Sequence, residues 1–423
     1  MNRIISDIPK IAIIGGGPGG LTLGALLQKH SIPFIIYELR RKPTDEDLAK
    51  VSGSLDLHEG TGLAAIREIG IHDEFESLIG ECAATMKIVD KDGNVLYDEA
   101  QDITYIERNR PEISRNNLTK LLVSQIPPDR IKWNHKLQGA ERVETTNEIF
   151  LDFGPQGTAK HAFVIGADGA WSKVRSSLLT NYKPVYTGIY HATVTMTDVT
   201  VKNPDLAELV GPGSFFALGD RKGIISQRGV QDSVRLYLSV HTTETEPDGG
   251  KWATDAGFKG KTAAEAKSLF LSDELFGTWA SSLKQLISVV CDHDITLDFG
   301  SNIDTRALYA LPTDVRWETT VGVTAIGDAA HVMPPNGEGV NLAMKDALDL
   351  SNALADAFFT TNDLSDLKVE KFEIEMWERV KGEVDGTVQL NDLMFGENGG
   401  SYAMANWIRE MIAAAAAGAS GNN

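Results

Sequence analysis

The residues with the plainest chemical use are glycines. Gly15, Gly17 and Gly20 stand in the spacing G-x-G-x-x-G, inside the run Gly15-Gly16-Gly17-Pro18-Gly19-Gly20. In such a run the first glycine permits a tight turn, the second lets backbone approach a diphosphate, and the third lets a helix pack close to a sheet. Pro18 and Gly19 open the helix whose N-terminal dipole would hold that diphosphate. Glu38 follows 18 residues after Gly20, where a carboxylate can accept from the ribose hydroxyls of the same nucleotide. A carboxylate at this point argues against a 2′-phosphate, so FAD or NAD fits better than NADP. A merely tight strand-to-helix turn is the bland alternative.

Two further acids occupy similar positions. Asp168 lies in Gly166-Ala167-Asp168-Gly169-Ala170-Trp171-Ser172-Lys173-Val174-Arg175. Asp328 lies in Ile326-Gly327-Asp328-Ala329-Ala330-His331, which continues through Pro334-Pro335-Asn336-Gly337-Glu338-Gly339-Val340-Asn341. Each acid follows an apolar run and precedes a helical pattern, so it either caps the helix or binds a polyol hydroxyl. The glycines after Pro335 would aim backbone N–H groups at an anionic or electron-rich ring edge. The histidines form no metal constellation, and His331 reads as a structural residue of its turn. Cys82 and Cys291 match no metal or redox spacing and read as buried free thiols.

The elements that must position these residues follow from the apolar pattern. Ile11 to Ile14 and Phe34 to Tyr37 are short continuous apolar runs, expected of parallel strands buried on both faces. The helical stretch Leu21 to Lys29 lies between them, and the three pieces make a βαβ unit. Phe163 to Ile165 and Val321 to Ile326 read as further strands of that kind. Arg115 to Ile126 and about 339 to 359 read as helices, and Asp90 to Asn94 as a hairpin turn. From about 185 to 309 the chain turns to alternating segments, Ile189 to Thr197, Ser214 to Leu218 and Val234 to Val240, followed by helices near 262–271 and 274–290. These divisions predict an α/β protein. Residues 1–184, completed by 310–360, form a Rossmann-like nucleotide-binding domain. Residues 185–309 form a β-sheet-rich substrate domain, and 361–423 are C-terminal helices.

Composition bounds the function more loosely. A chain of 423 residues with 42% hydrophobic and 23% charged content is expected to be a soluble, cytoplasmic globular protein of more than one domain. Its net charge of −19 disfavours a nucleic-acid partner. No apolar run approaches the length needed to cross a bilayer, and the N-terminus places a strand and glycine loop where a signal peptide would be cleaved. A monomer is expected.

Taken together, GxGxxG, GADGxxSxVR and GDAAHxxxP in this order resemble the class A FAD-dependent monooxygenases related to para-hydroxybenzoate hydroxylase. Gly53-Ser54-Leu55-Asp56-Leu57-His58 and Arg110-Pro111-Glu112-Ile113-Ser114-Arg115 make the sequence most similar, within them, to the TetX-type tetracycline-inactivating monooxygenases. The resemblance implies that Glu38, with Leu39 and Arg40 beside it, binds the adenosine ribose and that Leu137 gives backbone contacts to adenine. It implies Arg115 at the phosphate or ribityl region and Gly327-Asp328 at the ribityl or pyrophosphate part. Pro335, Gly337, Gly339, Val340 and Asn341 would line the flavin ring, with Ser54 and Asp56 near it. Asp168 and Gly169 would serve both FAD and the incoming NADPH or NADH. The family spaces these residues P-x-x-G-x-G, whereas only Asn336 separates Pro335 from Gly337. The C-terminal helix, Tyr402 to Ala417, resembles the one that bridges the two domains, with Met404, Trp407 and Ile408 on it.

The same resemblance implies a reaction without a protein nucleophile. NAD(P)H reduces the flavin, O₂ adds to form a C4a-hydroperoxide, and one oxygen passes to a phenolic or enolic polycyclic substrate, tetracycline-like or another polyketide. Phe215, Phe216, Gln227, Arg235 and Tyr237, with Pro335 and Asn336, are the substrate-lining candidates; Arg235 and Tyr237 share a strand face. The competing reading keeps FAD but not oxygen insertion, as in an oxidase or dehydrogenase. A non-catalytic flavin-binding protein is the third.

Overall fold

The computed structural model describes residues 11–80, 85–101, 110–242, 251–296, 301–361 and 369–420. Cys82 lies outside them. The chain divides into two compact units, each assembled from three separate stretches.

The first unit comprises Met1–Ile79, Asn109–Val185 and Tyr309–Gly386. Ile11–Ile14 and Phe34–Tyr37 are buried along their whole length, which only a strand covered on both faces achieves. They lie in a five-stranded sheet ordered Val323–Ala325, Phe163–Gly166, Ile11–Ile14, Phe34–Tyr37, Ile131–Lys132, with every pairing parallel. Helices Pro18–Lys29, Arg115–Ser124 and Gly339–Thr361 supply one core through Leu23, Leu27, Leu118, Leu342 and Leu350, packed on Ile11, Ile13 and Ile36. The opposite sheet face buries Ala12, Ile14, Ile35 and Val164 against Ile149, Leu151 and Phe153. Ile149 and Leu151 belong to a small antiparallel sheet, and Phe153 follows its middle strand.

The second unit comprises Gly80–Arg108, Tyr186–Leu308 and Thr387–Asn423. Its seven strands run in the order Asp304–Ala310, Val185–Met196, Ser233–His241, Lys222–Gly229, Ser214–Gly219, Met86–Val89, Val95–Asp98. Alternation along them builds two faces. Val194, Phe215, Ala217, Ile224, Leu236 and Leu238 point to helices Ala263–Phe270 and Ser281–Asp292. Ile88, Leu218, Phe216 and Ile225 point the other way, toward Phe395, Met404 and Ile408.

Two expectations about the chain's divisions are revised, and the C-terminal helices are placed by unit. The hairpin at 90–94 is present, but its strands pair into the second unit's sheet rather than joining residues 1–184. The helix Ser401–Ser420 packs on the sheet of its own unit through Met404, Ala405 and Ile408, while Trp407 stays 40% exposed. The helix whose residues fall in both units is the preceding one, Glu370–Phe395. The helix placed at 274–290 spans Ser281–Asp292. Before it, Gly277 N–H donates back to the Ser272 carbonyl, and a Cβ at Gly277 would stand 2.7 Å from Leu271 O. No helix among the described residues is long and apolar enough to cross a membrane.

Candidate functional site

The glycines of the first motif divide by what a side chain would meet. Gly15 has φ +114°, and a Cβ there would lie 2.1 Å from the Ala167 carbonyl oxygen. A Cβ on Gly20 would lie 2.1 Å from the Gly15 carbonyl oxygen. Both are glycine because backbone passes against backbone. Gly17, the N-cap of helix Pro18–Lys29, would have nothing within 4 Å of a Cβ. Its bareness therefore serves something other than the protein's own packing, as a cradle for a diphosphate requires. Gly19 lies against helix Gly339–Thr361, where a Cβ would stand 3.2 Å from Ala343 O.

Glu38, at the end of strand Phe34–Tyr37, is only 3% exposed. One carboxylate oxygen accepts from Gly16 N–H at 2.6 Å, the other from Arg40 N–H at 2.9 Å with the Arg40 guanidinium at 3.0 Å. The oxygen that meets Gly16 keeps lone-pair capacity for a ribose hydroxyl. Leu39 is half exposed beside it, and Leu137 is buried in the cluster under the sheet. The neighbouring Tyr37 hydroxyl bonds His161 Nε2 at 3.0 Å, and burial pushes its phenol up to about 12.

Asp328 begins the short helix Asp328–His331. Its side chain meets solvent, yet the surrounding protein pushes its carboxyl above the usual range, and His331 and Arg115 pull it partly back. Arg115 is exposed at the start of helix Arg115–Ser124, behind the Ser114 cap that accepts from Asn117 N–H. An accessible acid, a cation and two helix N-termini thus belong to one unit. Gly337 and Gly339 again would meet nothing within 4 Å of a Cβ. Leu342 N–H bonds Glu338 O, so Gly339, Val340 and Asn341 sit in the helix's first turn, where N–H groups lack intrahelical partners. Pro335 is exposed, and Asn336 Oδ1 accepts from Glu338 N–H at 2.9 Å.

Four of the expected ligand residues, Asp168, Asn341, Asp56 and Ser54, also have partners within the protein. The Asp168 carboxylate accepts from Ser172 Oγ at 2.5 Å and Lys173 N–H at 2.7 Å, so it caps the turn that follows; burial raises its pKa despite those bonds. Gly169 takes φ +78° there. The Asn341 side chain is wholly buried, accepting from His58 N–H at 2.9 Å and donating to Asp56 O at 2.9 Å, which leaves only its backbone to line a ligand. Asp56 pairs with His58 Nε2 at 2.7 Å. Ser54 pairs with Ser114 across a two-stranded sheet.

Of the residues that brace the site, sequence reasoning gave a role only to His331, as a structural residue of its turn. Arg175 is 1% exposed and donates to Ala329 O and Ala170 O, both at 2.6 Å, tying the second motif to the third. His331 Nε2 meets Asp346 Oδ2 at 2.6 Å. The other Asp346 oxygen accepts from Arg379 at 2.8 Å, and Gly327 N–H donates to Oδ2 at 2.9 Å. Glu373, fully buried, accepts from Trp317, Thr319 and Thr324. The signal available was the burden of burying an arginine or acid, which demands partners. Cys291 is buried, and burial pushes its thiol up to about 12. His72, Asp73 and Glu76 do come within ligand distance of one another on a short helix, with both acids exposed.

In the second unit the substrate-lining candidates separate by face. Gln227 pairs with Arg235, and Phe216 with Ile225, which pairs with Tyr237. These share the face opposite the helices. Phe215 does not: it is fully buried among the helix-side residues, because adjacent positions on a strand point to opposite sides. Arg235 lies over the Tyr237 ring at 5.6 Å and donates to Thr195 at 3.2 Å, while its Nε has no partner. His191 joins them, its ring 6.0 Å from Tyr237; burial lowers it to about 4, so it is neutral at pH 7. A groove of about 450 Å³ opens at the sheet's end beside Met86, Lys87, Pro212, Ser214 and Arg228.

A parallel sheet with a glycine-cradled helix N-terminus, a ribose-ready acid and a second glycine-rich helix start define a dinucleotide-cofactor enzyme. The chain belongs to the FAD binding domain family, which it matches over residues 9–275 and 315–366, and it is an FAD-dependent monooxygenase. Monooxygenase penA of Penicillium thymicola is 32% identical over 374 residues, 82% of this chain and 84% of its own. The structure of Klebsiella pneumoniae HpxO complexed with FAD and uric acid has 19% identity and a TM-score of 0.68, covering 95% of this chain and 92% of its own. That of tetracycline destructase Tet(51) has 18% identity and a TM-score of 0.66, covering 96% of each chain. At those identities the likeness is one of fold.

Proposed function

We propose that this monooxygenase uses NAD(P)H and O₂ to hydroxylate a phenolic or enolic polycyclic small molecule of secondary metabolism, tetracycline-like or another polyketide. The observation that carries the substrate class is the polar face of the seven-stranded sheet. Phe216, Ile225 and Tyr237 lie in one cross-strand row, and Gln227 and Arg235 lie in the next. Phe216 and Ile225 of the first row pack against Phe395, Met404 and Ile408, so the Tyr237 ring is the member of that row offered to flat apolar rings. The acidic hydroxyls and carbonyls on their edges match the guanidinium and amide of the second, and the unpartnered Arg235 Nε offers a donor for them. His191, neutral at pH 7, adds one donor and one acceptor.

On this reading the first unit holds FAD. Glu38, with Leu39, Arg40 and Leu137 around it, takes the adenosine end. Gly15 to Gly20 hold the diphosphate, with Arg115 adding a cation. Asp328 accepts from ribityl hydroxyls. The N–H groups of Gly339, Val340 and Asn341, at the start of a 23-residue helix, face the electron-rich edge of the ring, where a helix N-terminus favours developing negative charge. FAD, when bound, supplies the hydride-accepting and oxygen-activating ring. The protein's share is to bind and orient, and no side-chain nucleophile is required.

The test is a panel of tetracyclines and phenolic polyketides offered with NADH or NADPH to the yellow protein. A product heavier by one oxygen, with matching nicotinamide consumption, supports the proposal. Oxidised product with peroxide and no added oxygen overturns it in favour of an oxidase.

A further inference from the structure

The segment Asn336-Gly337-Glu338-Gly339 leads into helix Gly339–Thr361, and His58 ties it down from across the unit. Its Nε2 meets Asp56 Oδ2 at 2.7 Å, and its Nδ1 meets the Glu338 carboxylate at 3.1 Å. Its backbone N–H donates to Asn341 Oδ1, whose amide returns a bond to Asp56 O. Thr61 Oγ1 also donates to Asn341 Oδ1 at 3.2 Å. A ring that meets a carboxylate at each nitrogen must donate from both, which only the imidazolium can do.

We propose that His58 is a positioning residue, an ionic clasp that joins the loop after strand Ser54–Asp56 to the 336–339 turn and so sets where the N–H groups of Gly337 to Val340 are presented to FAD. The clasp rests on the reading that this turn faces the flavin, but its existence does not. The ring is 14% exposed. The charged groups facing it are Asp56 and Glu338 in direct contact, Glu383 from helix Glu370–Phe395, and Arg110, which stands 3.9 Å from Asp56. Bonds to Asp56, then Glu338, lift the imidazole to about 9 against the cost of burial. A histidine raised in this way contributes fully below its ordinary value of 6.5 and loses the contribution as pH rises through about 9.

The experiment is hydrogen exchange of residues 333–341 in the purified chain, with and without added FAD, together with FAD affinity by flavin fluorescence. In the wild type these amides stay protected at pH 7.5 and lose protection, beyond the intrinsic base catalysis of exchange, as pH passes about 9. His58→Gln and Glu338→Gln each speed their exchange about tenfold, abolish the step near pH 9 and weaken FAD binding about tenfold, and the double variant is no worse than either. Wild-type exchange and pH profile in both single variants would overturn the clasp. If the wild type takes up no FAD, the exchange comparison still decides the clasp, and it is the cofactor assignment that falls.

Discussion

Gly17 and Gly20 belong to one motif but answer to different demands, and substitution separates them. Gly20→Ala drives a methyl into the Gly15 carbonyl, so the apoprotein itself loses stability, by an expected 2 kcal/mol or so. Gly17→Ala meets no protein atom within 4 Å and costs the apoprotein under about 1 kcal/mol, the difference between the two residues at a helix N-cap. Its effect falls on FAD affinity, which drops at least roughly tenfold as the methyl intrudes on the diphosphate. Thermal melts of apoprotein beside FAD titrations check both; equal damage to Tm in the two variants would refute the distinction. The glycine spacing and Glu38 were legible because their chemistry is local. Asp168 was less so, since a cap and a ligand contact ask for the same residue at the same turn, and the Ser172 and Lys173 bonds show the cap alone.

Between elements, the site is held by buried charge rather than by the motifs alone. Arg175→Met would leave the Ala170 and Ala329 carbonyls without their donors. The expected loss is about 3 kcal/mol, or some 5–10 °C in Tm, with weaker FAD binding alongside. Asp346 supports both His331 and Arg379. Burial disfavours charge on His331, but Asp346 outweighs it and raises the imidazole; burial likewise opposes charge on Asp346, and His331 and Arg379 outweigh that and lower it. Raised histidine and lowered acid are both fully stabilising between their ordinary values of 3.8 and 6.5. Stability from this group therefore holds across that window, falling as pH drops through the lowered Asp346 value or climbs through the raised His331 value. Asp346→Asn is expected to flatten this dependence and cost about 3–5 kcal/mol, read by chemical denaturation across pH. Strands such as Phe163–Gly166 could be read from apolar runs because a doubly covered strand has no polar face. The register that puts Arg235 beside Gln227 and sends Phe215 to the far side comes from non-local pairing, which one strand's pattern does not carry. Alternation was available for Phe215 and Phe216, however, and already required that adjacent residues point apart.

At the scale of the molecule, two cores with separate residue sets imply unfolding that is not a single step. Calorimetry is expected to resolve more than one transition. FAD at a hundred times its dissociation constant should raise the first unit's transition by about 2.7 kcal/mol of stabilisation, and a single transition insensitive to FAD would contradict this. The two units are also interleaved along the chain. The hairpin strands Met86–Val89 and Val95–Asp98 are inserted before most of the first unit has been spelled out, and strand Val323–Ala325 closes the first unit's sheet after all seven strands of the second unit's sheet. Ser401 then inserts late, its hydroxyl accepting from Leu218 N–H and donating to Val89 O across two parallel strands. During synthesis, then, neither unit can finish in turn as it leaves the ribosome. A nascent chain arrested before residue 323 lacks the edge of one sheet and the C-terminal helices that cover one face of the other, and no single cut separates the two units.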